Sequence, residues 1–365
     1  MMASSVRCLV VLSTMSFLAS MSSSGQQVAP PATTEGNFVL KGFKFKSGES
    51  LPELRLHYTT LGKPARDTQG HVTNAVLILH GTGGSGQQFL QPVFAGELFG
   101  PGQLLDAAHY YIILPDGIGH GKSSKPSDGL HAHFPQYDYD DMVAAHHQLL
   151  TEGLGVNHLR LILGTSMGCM HSFVWGEAYP DLMDALMPLA CQPVQIAGRN
   201  RTWRKMLMDA IRSDPEWKGG EYSAQPQQGL RTAVDLLIIA GSAPLYMQRT
   251  YAATRDSADK DLDDYFKSRL AGLDANDLLY AVNASRNYDP SPNLEKIAAH
   301  VMYINSADDF INPPELGIAE REIKRVKNAR FVLIPIGDET RGHGTHTRAV
   351  VWKQYLEELL KSSGN

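Results

Sequence analysis

The chain alternates short, almost continuous apolar runs with stretches of helical periodicity, and few folds accommodate that pattern. Residues 54–61, 75–79, 110–114, 159–163, 185–189, 301–304 and 330–336 are apolar or β-branched runs bounded by Gly, Pro or Asp turns. Runs this short and this uniformly apolar predict strands buried on both faces, hence parallel strands covered by helices. Residues 139–150 and 167–179 supply helical stretches between them. The expected class is α/β, with a mostly parallel central sheet flanked by helices. Between about residues 192 and 292 the alternation stops, and helical patterns at 199–213, 229–239 and 262–283 follow one another without strands. A block of helices inserted between two strands reads as a lid.

The N-terminus belongs to a different kind of segment. A positive start ending at Arg7, an apolar stretch at 8–21 interrupted by Ser13, Thr14 and Ser16, and the small residues Ser22, Ser23, Ser24 and Gly25 predict a cleaved secretory signal. A membrane anchor would need about 20 consecutive apolar residues. The division expected is therefore 1–26 signal peptide, 27–191 first part of the core, 192–292 helical lid and 293–365 second part of the core, with a secreted or periplasmic location. Cys8 leaves with the signal. Cys169 and Cys191 remain, too few for a disulfide framework though enough for one bridge, and Cys169 reads as a small packing residue of its helix. With 33 Lys and Arg against 38 Asp and Glu, a net charge of -5 and no dense basic block, the chain lacks an electrostatic footprint for nucleic acid or an anionic membrane. The expected partner is a small molecule, bound by a monomer or homodimer.

The chemistry starts where the run 159–163 leads into Gly164-Thr165-Ser166-Met167-Gly168 and then a helix. G-x-S-x-G alone is a weak signal, but strand, sharp turn and helix make a nucleophile elbow, in which the glycines let the backbone expose the Ser hydroxyl. Ser166 is the expected nucleophile. Its hydroxyl needs a base, and the base an orienting carboxylate, in the order Ser, Asp or Glu, His. Two aspartates, Asp308 and Asp309, follow the run 301–304, and Gly342-His343-Gly344 follows the run 330–336. Asp308 and His343 are the expected partners. Their rivals for the two roles are Asp309, which reads rather as a solvated or capping charge, and His346, which reads rather as a surface or capping residue. The loop His80-Gly81-Thr82-Gly83-Gly84 follows the run 75–79 and is placed to complete an oxyanion hole with the amides of Thr82 and Met167. It lacks the Lys-Ser/Thr ending of a phosphate-binding loop. Asp116 and His120 precede the nucleophile and read as loop structure. His146 and His147 are adjacent on a helix and cannot chelate together. No metal and no cofactor are expected.

These residues resemble the α/β-hydrolase fold, and within it the homoserine O-acetyltransferase branch and its esterase-like relatives, from about residue 56 to 359. The fold is carried by His80-Gly81, Asp116 to Ser124, the elbow and Gly342-His343. The branch is suggested by Cys169-Met170 after the elbow with Trp175 and Tyr179-Pro180, by Asp214-Pro215 with Gly219-Gly220-Glu221-Tyr222, by Asp274-Ala275-Asn276, by Tyr288-Asp289-Pro290-Ser291, and by Asp308 followed by Pro313. The resemblance also supports Asp308 and His343. It implies an Arg on the lid helix to take the homoserine carboxylate, a place held here by Met208, with Arg204 or Arg212 as nearby substitutes. An exported enzyme meets no acetyl-CoA, so water is the expected acceptor. The reading is an exported serine hydrolase of carboxylic esters. Its alternatives are a CoA-dependent O-acyltransferase or a noncatalytic binding protein of the same fold. Leu236, Leu237, Ile238, Ile239, Leu245, Tyr246 and Met247 are expected either to line an apolar substrate pocket or to pack helices.

Overall fold

The apolar runs become the middle of a sheet. A computed structural model describes residues 32–270 and 272–364, so the expected signal at 1–26 lies outside the described residues. The strands are β1 (Thr33–Lys44), β2 (Ser50–Leu61), β3 (Ala75–Leu79), β4 (Tyr111–Pro115), β5 (Leu161–Thr165), β6 (Ala185–Leu189), β7 (His300–Ser306) and β8 (Ala329–Ile334). They form one eight-stranded sheet in the order β1-β2-β4-β3-β5-β6-β7-β8. From β4 to β8 all neighbours pair in parallel. Every position of β3, β4, β5 and β6 is buried, as strands covered on both faces require.

The other edge differs from the sequence expectation. β2 runs antiparallel to both β4 and β1, so the run 54–61 is not a parallel strand. β1 begins at Thr33, ahead of the first run expected to form a strand. Most of its side chains are exposed, and only Leu40 and Phe43 are fully buried. An edge strand with so few core residues leaves little apolar signal.

The helices are α1 (Ala95–Leu98), α2 (Tyr139–Gln148), α3 (Met167–Ala178), α4 (Gly198–Ser213), α5 (Gln227–Gly241), α6 (Pro244–Thr250), α7 (Arg255–Leu270), α8 (Ala275–Asn283), α9 (Ile318–Glu322) and α10 (Ala349–Ser362). They cover the sheet on two sides. One apolar cluster joins it to Met142, Phe173 and Trp175, and the other to Phe94, Phe99, Trp352 and Leu356. Helices α4 to α8 are inserted between β6 and β7. Where one helical pattern was expected over 262–283, two helices form. Asp274 accepts the amides of Asn276 and Asp277 and so starts α8 as a new helix. No single described helix is long and apolar enough to cross a membrane.

One acidic residue of α3 works against the fold at high pH. Glu177 is half-buried, with one carboxylate oxygen lacking any partner among the described residues. Burial, reinforced by Asp140, pushes its carboxyl from 4.5 up to about 8. An acid whose folded value lies above its unfolded one stabilises fully below the unfolded value and loses that contribution as pH rises through the folded one. Glu177→Gln is therefore expected to raise the melting temperature by a few degrees at pH 9 and hardly at all at pH 4. Thermal denaturation at the two pH values measures it. Equal shifts at both would mean that the carboxyl titrates normally.

Candidate active site

The four segments that matter leave the sheet at the C-terminal ends of neighbouring strands, where open α/β sheets gather functional groups. The loop of His80 and Thr82 follows β3, Ser166 follows β5, Asp308 and Asp309 follow β7, and His343 follows β8.

Ser166 sits between β5 and α3 at φ 55° and ψ −108°. A non-glycine residue held there stores on the order of 1–3 kcal/mol of strain. The surroundings impose the conformation: the Ser166 amide donates to Leu189 O at 2.9 Å and the Gly168 amide to His80 O at 3.0 Å. Both flanking glycines are obligatory, because a Cβ on Gly164 would lie 1.9 Å from the Gly168 carbonyl oxygen and one on Gly168 only 2.1 Å from that of Leu79. Cys169 is more than a packing residue. It is disulfide-bonded to Cys191, just beyond β6, and ties the start of α3 to the next strand.

His343 Nε2 lies 2.8 Å from Ser166 Oγ. Its other ring nitrogen, Nδ1, is 2.9 Å from Oδ2 of Asp309, so the carboxylate that meets the imidazole belongs to Asp309 and not to the expected Asp308. The turn after β7 separates the two. Oδ1 of Asp309 accepts the amides of Ile311 at 2.8 Å and Asn312 at 3.2 Å, a local turn that aims Oδ2 at the ring. Burial by itself would raise this carboxyl, yet the adjacent His343, the Asn312 side chain and the Ile311 amide together hold it below the ordinary value. Asp308 turns elsewhere. It accepts from Ser306, from Thr340 Oγ1 at 2.7 Å and from the Gly342 amide at 3.1 Å, and so anchors the loop that leads into His343. Asn312, which sequence reasoning missed, donates to Asp309 Oδ2 at 2.9 Å. The signal was an Asp followed by an Asn three residues on, just past a strand.

His346 does not reach the serine. Its ring packs edge-on against His343 at 5.1 Å, and burial, followed by the His343 charge, pushes it down to about 3.

The loop after β3 lies against Ser166: a Cβ on Gly81 would sit 3.2 Å from that of Ser166. His80 is locked neutral. It accepts the Gly117 amide at Nε2 (2.9 Å), leaves Nδ1–H for the Gly81 carbonyl (2.8 Å), and is pushed by burial down to about 3. The Thr82 carbonyl is 3.0 Å from His120 Nε2. Among the described residues neither the Thr82 amide nor the Met167 amide is engaged by a protein acceptor, which leaves both free for an oxygen on the substrate. Asp116 and His120 act in loop structure. Asp116 accepts the amides of Gly86 and Lys122 and faces His57 at 2.9 Å.

A cavity of about 20 Å³ opens beside Ser166, room for about one water-sized group. Its walls come from Met170, Val194, Ile196, Ile311, Asn312 and, from α4, Asn200 and Arg204. None of Leu236, Leu237, Ile238, Ile239, Leu245, Tyr246 and Met247 takes part; Leu236 and Leu237 pack against the core and Ile239 is exposed. Tyr246 instead lies under Arg341, whose guanidinium is 3.6 Å from the ring centre. Gly342 sits so close to Ser242 that a Cβ would approach its carbonyl oxygen to 2.7 Å, and the helical insertion thereby bears on the loop of His343. Met208 is buried in the core and Arg212 is exposed, while Arg204 is the cation that reaches the cavity. The larger surface grooves, about 730 and 650 Å³, contain none of Ser166, His343 and Asp309. Among the described residues no group of three or more His, Cys, Asp or Glu could hold a metal ion.

Residues 74–338 match the sequence model of a family described as alpha/beta hydrolase fold. A probable acyltransferase of Methanothermobacter thermautotrophicus is 31% identical over 280 residues, 76% of this chain and 84% of that one. A homoserine O-acetyltransferase of Thermobifida fusca is 27% identical, with 78% and 83% covered. Among solved structures, an acetylester hydrolase from Corynebacterium glutamicum superposes with a TM-score of 0.79 over 90% of this chain and 96% of its own, at 22% identity, a likeness of fold.

Proposed function

Because the chain belongs to the α/β-hydrolase fold family, in the homoserine O-acetyltransferase branch, we propose that it is a serine hydrolase that cleaves short-chain carboxylic esters. The observation that carries this reading is the continuous relay from Ser166 Oγ through His343 to Asp309 at the wall of a very small cavity. In this mechanism His343 Nε2 takes the proton as Ser166 Oγ attacks the ester carbonyl. Asp309 stabilises the imidazolium and fixes its tautomer, and the amides of Thr82 and Met167 receive the oxyanion. His343 then protonates the leaving alcohol and activates water against the acyl-enzyme. A cavity of this size favours an acetyl-like acyl group. The insertion, resting on the His343 loop, serves as the lid.

We place the enzyme outside the cytosol, on the strength of residues 1–24 and of the Cys169–Cys191 bridge, a bond that persists in oxidising compartments. Water is then the acceptor. The second reading, transfer of the acyl group to an alcohol, is favoured by the acyltransferase names of the relatives. Mass spectrometry of the products separates the two. With a short-chain ester donor and homoserine present, free acid is expected to predominate and CoA to make no difference; predominant O-acylhomoserine would establish the transferase.

A further inference from the structure

A thin strip of chain walls off the cavity beside Ser166, and a much larger space lies on its far side. Gln195, Ile196 and Ala197 line the cavity of about 20 Å³, and the same three residues line the outer groove of about 650 Å³, together with Arg201, Lys205 and Met206 from α4. Room for about one water-sized group admits only the shortest acyl chain. Displacing a strip three residues long would join the two spaces.

The strip lies in the connection from β6 to α4, which forms neither helix nor strand, and both ends of that connection are anchored. Cys191 is held by its bridge to Cys169, and the Gln192 carbonyl accepts from the Tyr288 hydroxyl at 3.1 Å. At the other end Arg199 donates to the Phe310 carbonyl at 2.7 Å, its guanidinium 3.8 Å from the centre of that ring. Gly198, just before it, stands at φ 53° with open space where a Cβ would be, and so supplies a pivot. Between the anchors Ile196 rests on the apolar core. Among the described residues a single hydrogen bond ties residues 193–196 to another part of the protein: the Gln195 amide donates to Oδ1 of Asp289 at 3.1 Å. Both residues are exposed, so water can replace either partner and the bond is weak enough to open. The same carboxylate oxygen accepts the Ser291 hydroxyl at 2.6 Å and the Ser291 amide at 3.2 Å. The segment Tyr288-Asp289-Pro290-Ser291, which the relay of Ser166 does not use, thus bears on the wall of the substrate cavity.

We infer that residues 195–197 form a gate between Ser166 and the outer groove, that Asp289 is its latch, and that this pair sets the limit on acyl-chain length. Acetyl esters react with the gate shut. A longer straight acyl chain has to break the Gln195–Asp289 bond, a penalty equal to the worth of one exposed hydrogen bond, and then lays its tail along Ile196, Ala197 and Met206. The inference rests on the hydrolase reading above and names the residue that imposes its short-chain preference.

A chain-length series tests it: kcat/KM for the 4-nitrophenyl esters of acetate, butyrate, hexanoate and octanoate. The parent is expected to fall off steeply along the series. Asp289→Ala should raise the octanoate-to-acetate ratio at least about fivefold. Asp289→Asn, which keeps an acceptor oxygen, should raise it less, and Ser291→Ala, which disturbs the same turn but spares the Gln195 bond, should leave it near the parent value. Ile196→Ala lowers the gate without touching the latch, is expected to shift the ratio the same way, and decides the matter should Asp289→Ala not fold. Octanoate cleaved as well as acetate by the parent, an unchanged ratio in both Asp289→Ala and Ile196→Ala, or an equal rise in Ser291→Ala would each overturn the proposal while leaving the hydrolase standing. If no ester is cleaved and a fluorophosphonate fails to label Ser166, the hydrolase reading itself falls.

Discussion

Ser166→Ala is expected to reduce ester turnover by about 10⁶-fold, the loss seen when a serine hydrolase surrenders its nucleophile. What remains would come from the Thr82 and Met167 amides and from binding. The fold should persist. The strained backbone at residue 166 is held by the Leu189 carbonyl and the glycine contacts, none of which involves the hydroxyl, so the melting temperature should move by a few degrees at most. A fluorophosphonate should label the parent and leave the variant unmodified. Substantial esterase activity in the variant, or label on another serine, would mean that the relay to His343 is not the working one.

The second large effect separates two neighbours in sequence. Asp309→Asn should lower kcat by about 10⁴-fold, because an amide facing Nδ1 neither stabilises the imidazolium nor enforces the tautomer that leaves Nε2 free to take a proton. Asp308→Asn should cost about tenfold or less. It weakens the hold on Thr340 and Gly342 and loosens the approach of His343 without removing the charge beside the ring. Steady-state kinetics on one short-chain ester is enough. A greater loss at Asp308 would show that the loop after β7 adopts another conformation in the working enzyme.

That choice marks the limit of the sequence. Strand ends, the glycine pattern around Ser166 and the order of the later segments can be read from residue types, because buried strands demand continuous apolar runs and the tight turn demands small neighbours. Whether Asp308 or Asp309 faces the imidazole depends on one backbone turn. Two adjacent aspartates look alike in composition, and the deciding contacts, the amides of Ile311 and Asn312, are visible only once the chain is folded. The choice between Arg204 and Arg212 was open for a similar reason. Four arginines and a lysine crowd positions 199 to 212, and only packing shows which of them α4 turns inward. β1 was obscured because its residues mostly face solvent. The pairing of Cys169 with Cys191 needed the neighbourhood of α3 and β6, which spacing along the chain does not reveal.

The placement of the helical insertion bears on how such a protein can change over generations. Ser166 and His343 are 177 residues apart in sequence, and the whole insertion lies inside the loop they close. The entropic cost of closing a loop grows only logarithmically, by about 0.6 kcal/mol per doubling of length. Lengthening, shortening or reshaping α4 to α8 therefore barely alters the energy of bringing serine and histidine together, provided that Ser242 still rests on Gly342. Mutations that re-form the wall containing Arg204 can accumulate in a segment whose drift the sheet tolerates, while the reacting groups stay fixed to strand ends that cannot drift. A lineage built this way can exchange one ester for another, or an ester for a different acyl donor, by revising a single stretch of its chain.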